Sequence, residues 1–152
     1  MDDSRIFRGI LESVISKLPD AVIVGSVFNG EKALEFLRRT PVDLVTLDIE
    51  MPGVSGLETL KAIRELNRSQ PNAVQTESVL ISSLTKQGAK STVEGLQLGA
   101  IDFILKPNGG SEAENLASLR SCWNSSALRF TSHGRTSRLF STRLTNTTAV
   151  FS

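Results

Sequence analysis

LVTLDIEMPGVSG, Leu44 to Gly56, is the stretch whose reading decides the fold. Leu44, Val45, Thr46 and Leu47 form a near-continuous apolar and β-branched run between Pro41 and the turn residues Pro52 and Gly53, which is how a strand buried on both faces reads. Asp48 then stands at the strand's carboxyl end. In open parallel sheets the loops leaving that edge line a crevice where ligands and chemistry collect. Asp48 is therefore either a residue that opens a turn or the carboxylate of a site. Two other stretches bear on the choice, MDDS at residues 1–4 and ILKP at residues 104–107.

Outward from this strand, helix-period and strand-period segments alternate. Ile6, Phe7, Ile10, Leu11, Val14, Ile15 and Leu18 make one apolar stripe on a helix from Ser4 to Leu18, capped by Asp3 or Ser4. Ala21 to Val27 reads as a β-branched strand, and Asn29-Gly30 turns into a helix from about Glu31 to Arg39 with Ala33, Leu34 and Leu37 inward. Leu57 to Leu66 is a further amphipathic helix, and Asn67 to Glu77 a polar connection containing Pro71. Val79 to Ile81 forms a strand ending at Ser82-Ser83, roughly Ala89 to Leu98 a helix closed by Gly99, and Ile101 to Leu105 a strand ending at Lys106-Pro107. Ser111 and Glu114 make a capping box for a last helix carrying Leu116 and Leu119. The alternation predicts an α/β domain, a doubly wound parallel sheet.

Composition bounds the class. A chain of 152 residues with 39% hydrophobic and 22% charged content suits one globular domain and a tail. No apolar run approaches the roughly 20 residues of a membrane span, and the acidic start is unlike a secretory signal. A single cysteine, Cys122, excludes an internal disulfide framework and thiolate metal clusters, so a reducing cytoplasm is the expected location. The net charge of +1 hides an asymmetry: all 16 acidic residues lie at or before Glu114, alongside 12 Lys and Arg, whereas only arginines follow. The expected division is a globular domain over residues 1–122 and a weakly ordered Ser/Thr/Arg-rich tail over 123–152. Its arginines are scattered rather than set in a stripe, so nucleic acid is not an expected partner, and neither is a membrane.

If the strands are parallel, Asp48, Ser82-Ser83 and Lys106 share one sheet edge, and Asp2 and Asp3 stand just before the first helix. Three carboxylates brought together repel one another unless a hard divalent cation sits among them, and an all-oxygen set suits Mg²⁺. A lysine and a hydroxyl facing that ion are what a phosphoryl group with anionic oxygens needs. The constellation predicts a phosphorylated aspartate.

At this point the sequence resembles a known family, the receiver domains of two-component response regulators, whose fold is flavodoxin-like, of the chemotaxis-receiver (CheY-like) type. DDS at Asp2–Ser4, LDIEMPGVSG at Leu47–Gly56, SS at Ser82-Ser83 and LGAIDFILKP at Leu98–Pro107 match its motifs in order over about residues 2–120. The resemblance implies that Asp48 is the phosphoacceptor in a phosphorelay, supplied by a sensor histidine kinase or a small phosphodonor. It implies that Asp2, Asp3, Asp48 and the backbone carbonyl of Glu50 bind Mg²⁺, and that Lys106, Ser82 and Ser83 contact the phosphoryl group. Ser82 would be the switch hydroxyl and Phe103 the switch aromatic, moving together to alter a face that binds a downstream effector domain or protein. Lys106-Pro107 resembles the family's cis peptide. TLDIEMPGVSGLETL, SSLTKQGA and LGAIDFILKP are closest to the regulatory domain of chemotaxis protein-glutamate methylesterases, which implies a kinase of the CheA type. No esterase is expected here: the tail offers His133 but no acidic residue for a catalytic triad. The alternatives are a truncated fragment of such a methylesterase, and a haloacid-dehalogenase-like phosphatase, which would want Asp where Glu50 stands.

The family's first strand, an apolar run directly before the acidic pair, has no counterpart here. In the family it lies between the strands read at Ala21–Val27 and Leu44–Leu47, so the expectation is a missing N-terminal strand and two unpaired inner edges. The one spare β-branched segment, TTAVF at Thr147–Phe151, is short and set among polar residues. The gap is expected to stay open and the fold to be marginal.

Overall fold

Each of the three helices fully within the described residues begins at a side chain that satisfies backbone donors the helix itself leaves unpaired. In the computed structural model, which describes residues 21–27, 29–51, 53–73, 75–83, 85–106 and 147–151 together with positions 9, 12, 13, 113, 114, 117 and 121, α1 (Gly30–Arg39) starts where the Asn29 side chain accepts the Lys32 N–H at 2.8 Å. Helix α2 (Gly56–Ser69) starts at a reciprocal capping box between Ser55 and Glu58. Hydrogen bonds from the Ser55 backbone N–H and hydroxyl hold the Glu58 carboxyl below its ordinary pKa. Helix α3 (Lys86–Gln97) starts three residues earlier than the apolar pattern suggests, because Thr85 caps it by accepting the Gly88 N–H at 2.9 Å. Asn67, read above as part of a polar connection, lies within α2 and brackets Thr76 with two hydrogen bonds, which pins the chain as it enters the next strand.

The strands are β1 (Ala21–Ser26), β2 (Leu44–Asp48), β3 (Glu77–Ser82), β4 (Asp102–Leu105) and β5 (Thr147–Phe151), all parallel, in the order β1-β5-β2-β3-β4. Leu44, Val45, Thr46 and Leu47 are each nearly inaccessible to solvent, so β2 is buried on both faces as its sequence predicts. On one face Val45, Leu47 and Leu80 join Leu37 of α1 and Leu60 and Ile63 of α2 in the principal core cluster. On the other, Leu44, Val79, Ile81 and Ile104 are also buried.

The expected gap between β1 and β2 is closed. Thr147–Phe151 lies in it, pairing with β1 from Ala21↔Thr147 to Ser26↔Phe151 and with β2 through Leu44↔Ala149, Val45↔Val150 and Thr46↔Phe151. These five residues of the stretch read as a tail therefore pair within the sheet. The physical reason is the demand of the slot. Buried backbone N–H and C=O groups on both inner edges need partners, and a β-branched segment can supply them on both sides at once. The helix read from Ser4 to Leu18 and the one capped by Ser111 lie outside the described residues, apart from the helical positions named above.

The position of β5 generates a prediction. Shortening the chain to end at Asn146 removes backbone pairing along both inner edges. At a net 0.5–1.5 kcal/mol per hydrogen bond, about half a dozen lost bonds cost at least ~3 kcal/mol. Urea unfolding of the shortened and full-length chains should show that loss as a lower midpoint or as association through the exposed edges. An unchanged midpoint would place the stabilising strand elsewhere.

Candidate functional site

The carboxyl ends of β2, β3 and β4 are fastened to one another by backbone hydrogen bonds one residue past the ladder. The Ile49 N–H donates to the Ile81 carbonyl at 3.0 Å, and the Lys106 N–H donates to the Ser82 carbonyl at 2.8 Å. These bonds fix Asp48 and Lys106, 58 residues apart in sequence, on the same edge. The Lys106 ammonium lies 2.6 Å from Asp48 Oδ2, with side chains only 19% and 13% exposed. Asp48 Oδ1 accepts the Glu50 N–H at 3.0 Å, so each carboxylate oxygen has its own donor.

The loop after Asp48 folds back sharply. Gly53 has φ +79°, a left-handed conformation that suits glycine. Gly56, the first residue of α2, passes so near β2 that a Cβ there would lie 2.2 Å from the Asp48 carbonyl oxygen. The N-terminus of α2 is thereby drawn against the end of the strand. A side chain at position 56 is incompatible with that approach.

Sequence reasoning brings Asp48, Glu50, Ser82, Ser83 and Lys106 to one edge, and the structure places them there. Their hydroxyls are engaged in ways the sequence does not reveal. Ser83 donates to Glu50 Oε1 at 2.8 Å and lies 3.1 Å from Thr85 Oγ1, so the Glu50 side chain has a role beyond its backbone. Ser82, almost fully buried, faces Thr92 and Gly88 of α3. Thr85 and Thr92 were not singled out from sequence. The one available signal was a Thr three residues before Gly88 and another four after it, at cap and helix-face spacing. Phe103 lies on the edge strand β4, opposite Leu80 and 37% exposed. Asp2, Asp3 and Pro107, with the cis Lys106–Pro107 peptide the resemblance implies, fall outside the described residues.

Among the described residues no three His, Cys, Asp or Glu are grouped to hold a metal ion. The described members of the implied set, the Asp48 carboxylate and the Glu50 carbonyl, are oxygen donors at this edge, and that donor chemistry fits Mg²⁺. Completing the set requires Asp2 and Asp3. No helix among the described residues is long and apolar enough to cross a membrane.

Comparison with known proteins is consistent with this geometry. The family model for the response regulator receiver domain matches residues 1–118. A protein-glutamate methylesterase/protein-glutamine glutaminase of Desulfotalea psychrophila is 38% identical over 119 residues, covering 78% of this chain and 31% of that protein. The protein of the same name from Treponema denticola is 35% identical over 153 residues, covering 100% of this chain and 38% of the relative. The chain spans about a third of the length of these curated relatives. The crystal structure of the response regulator domain of Thermotoga maritima CheB is similar at 37% identity and a TM-score of 0.59, covering 81% of this chain and 92% of that one.

The close approach at Gly56 is open to test. Gly56→Ala inserts a methyl group where backbone already stands, and overpacking of this kind costs about 1–3 kcal/mol. Thermal unfolding should show the loss, whereas Gly53→Asn, at a left-handed position with open space around the Cβ, should show a smaller one that reflects backbone strain alone. Equal effects would mean that the loop, not the contact with Asp48, sets the requirement.

Proposed function

The chain belongs to the response regulator receiver domain family, and from that premise we propose that Asp48 is the residue that accepts the phosphoryl group. The observation that carries this reading is the 2.6 Å contact between Asp48 and Lys106 at the carboxyl edge of a buried parallel sheet. Receiver domains generally bind Mg²⁺ at the phosphorylation site, take their phosphoryl group from a histidine kinase and act on a downstream effector. Here Asp48, the Glu50 carbonyl, Asp2 and Asp3 would hold the ion. When bound, Mg²⁺ supplies positive charge that offsets the oxygens of the incoming phosphoryl group.

An Asp48 carboxylate oxygen forms a bond to phosphorus as the bond from phosphorus to the donor breaks. The leaving group is acetate from acetyl phosphate, or an imidazole nitrogen of a phosphohistidine, which departs with the electron pair. Lys106 steadies the carboxylate before transfer, and afterwards its ammonium is the charge available to the new phosphoryl oxygens. Burial of both side chains strengthens that attraction relative to open water. Ser82 and Ser83 stand at the same edge as further donors, and Phe103, on the exposed side of β4, is the aromatic whose packing would respond.

The identity to protein-glutamate methylesterases supports a chemotaxis setting, with a CheA-type kinase as donor and the cytoplasm as location. A second reading is that this receiver is the regulatory portion of such a methylesterase, favoured by the same relatives. The genomic reading frame separates the two: a downstream triad-bearing frame joins the receiver to an esterase, and an unrelated gene leaves it free-standing.

Incubation of the full chain with acetyl phosphate and Mg²⁺ should add one acid-labile phosphoryl group per molecule, read by intact mass. Asp48→Asn should abolish it, since the amide is no nucleophile. Undiminished labelling of that variant would overturn the assignment.

A further inference from the structure

The hydroxyl of Ser82 is held on the α3 side of the site by a compact cluster. Thr92 Oγ1 lies 2.7 Å from Ser82 Oγ and 2.7 Å from the Gly88 carbonyl oxygen, and Ser82 Oγ lies 3.2 Å from that same carbonyl and 3.3 Å from the carbonyl of Ser83. Ser82 is 1% and Thr92 6% exposed, so water does not compete for these bonds. The two hydroxyls have one proton each. If Thr92 donates to Ser82, then Ser82 donates to a carbonyl; if Thr92 donates to Gly88, then Ser82 donates to Thr92 or to the Ser83 carbonyl. In every arrangement the single Ser82 proton is engaged within this cluster. The cluster depends on a close approach of helix to strand, because a Cβ on Gly88 would lie 2.5 Å from the Ser83 carbonyl oxygen and 3.1 Å from Ser82 Oγ.

We propose that Thr92 is a positioning residue for phosphorylation: its hydroxyl, bonded to the Ser82 hydroxyl, holds that group against α3 and so opposes its turning toward a phosphoryl group on Asp48. The inference rests on the reading of Asp48 as phosphoacceptor and Ser82 as the hydroxyl that meets the phosphoryl oxygens. Leaving the cluster orphans nothing, since Thr92 can still donate to Gly88 once Ser82 has turned away. The exchange is therefore nearly balanced, and the lost Ser82–Thr92 bond sets its bias. One neutral hydrogen bond is worth about 2- to 10-fold in an equilibrium. Thr92 thereby ties the occupancy of Asp48 to the first two turns of α3, and with them to the helix's half-exposed Val93 and Leu96.

The test is a titration of the full chain with acetyl phosphate at fixed Mg²⁺, reading phosphoryl occupancy by intact mass. Thr92→Val keeps the shape and removes the hydroxyl, and should lower the half-saturating acetyl phosphate concentration about 2- to 10-fold. Thr92→Ser retains the hydroxyl and should restore the wild-type value. Thr92→Ala, which also lacks the hydroxyl, should move in the same direction as Thr92→Val, so poor folding of one variant does not remove the test. In a Ser82→Ala background, Thr92→Val should have no effect, because a packing role alone would act equally in both backgrounds. An unshifted Thr92→Val titration, an equal shift with Ser82→Ala, or a Thr92→Ser shift as large as that of Thr92→Val would overturn the inference while leaving Asp48 as phosphoacceptor. A wild-type chain that takes no phosphoryl group would overturn the reading on which it rests, and the inference with it.

Discussion

Strand β2 must be paired on both sides, and the rest of the domain follows from that constraint. Its four leading residues are buried on both faces, so their backbone groups have no access to water and must find partners within the sheet. Strand β3 supplies one side over five residue pairs from Leu44↔Glu77 to Asp48↔Ile81, and β5 supplies the other through Leu44, Val45 and Thr46. With β5 in place the sheet is five-stranded and wholly parallel, the C-terminal segment filling the position between β1 and β2. Asp48 stands at the carboxyl end of the strand beside it, the edge at which open parallel sheets place their ligands.

The site is then assembled by close approaches rather than by long side chains reaching inward. Gly56 lets α2 begin against the Asp48 carbonyl, and Gly88 lets α3 begin against Ser82 and Ser83. Each helix start presents a capping hydroxyl, Ser55 or Thr85, and Thr85 is also a neighbour of Ser83. Packed this tightly, the hydroxyls of Ser82, Ser83 and Thr92 can exchange partners only in discrete ways, which is the property a two-state switch requires. The Asp48–Lys106 pair is the exception, a charge contact between a strand end and the residue following another strand, and it is held by the backbone bonds that close the sheet's edge.

Much of this was legible in the sequence because it rests on local patterns. The β-branched run at Leu44–Leu47, the turn at Asn29-Gly30, and the strand ends at Ser82 and Lys106 each carry their own signal. The helix start at Thr85 was hidden because its first turn, Lys86 to Ala89, lacks an apolar stripe. The hydrogen bonds of Ser82 and Glu50 were hidden because they join side chains across elements. Strand β5 was visible only as a short β-branched segment; that it inserts between β1 and β2 depends on pairing across about a hundred residues, which no local periodicity records. The slot it fills is the one the family resemblance places between the strands that flank β5.

The central claim is that the chemistry of this domain is centred on the Asp48 carboxylate. Treatment of the acetyl-phosphate-labelled chain with borohydride reduces an aspartyl phosphate to homoserine, and peptide mass spectrometry then reads the position of the altered residue. The account predicts homoserine at position 48 and at no other aspartate. Homoserine at a different position, or a stable label on a hydroxyl or imidazole with Asp48 unaltered, would contradict it.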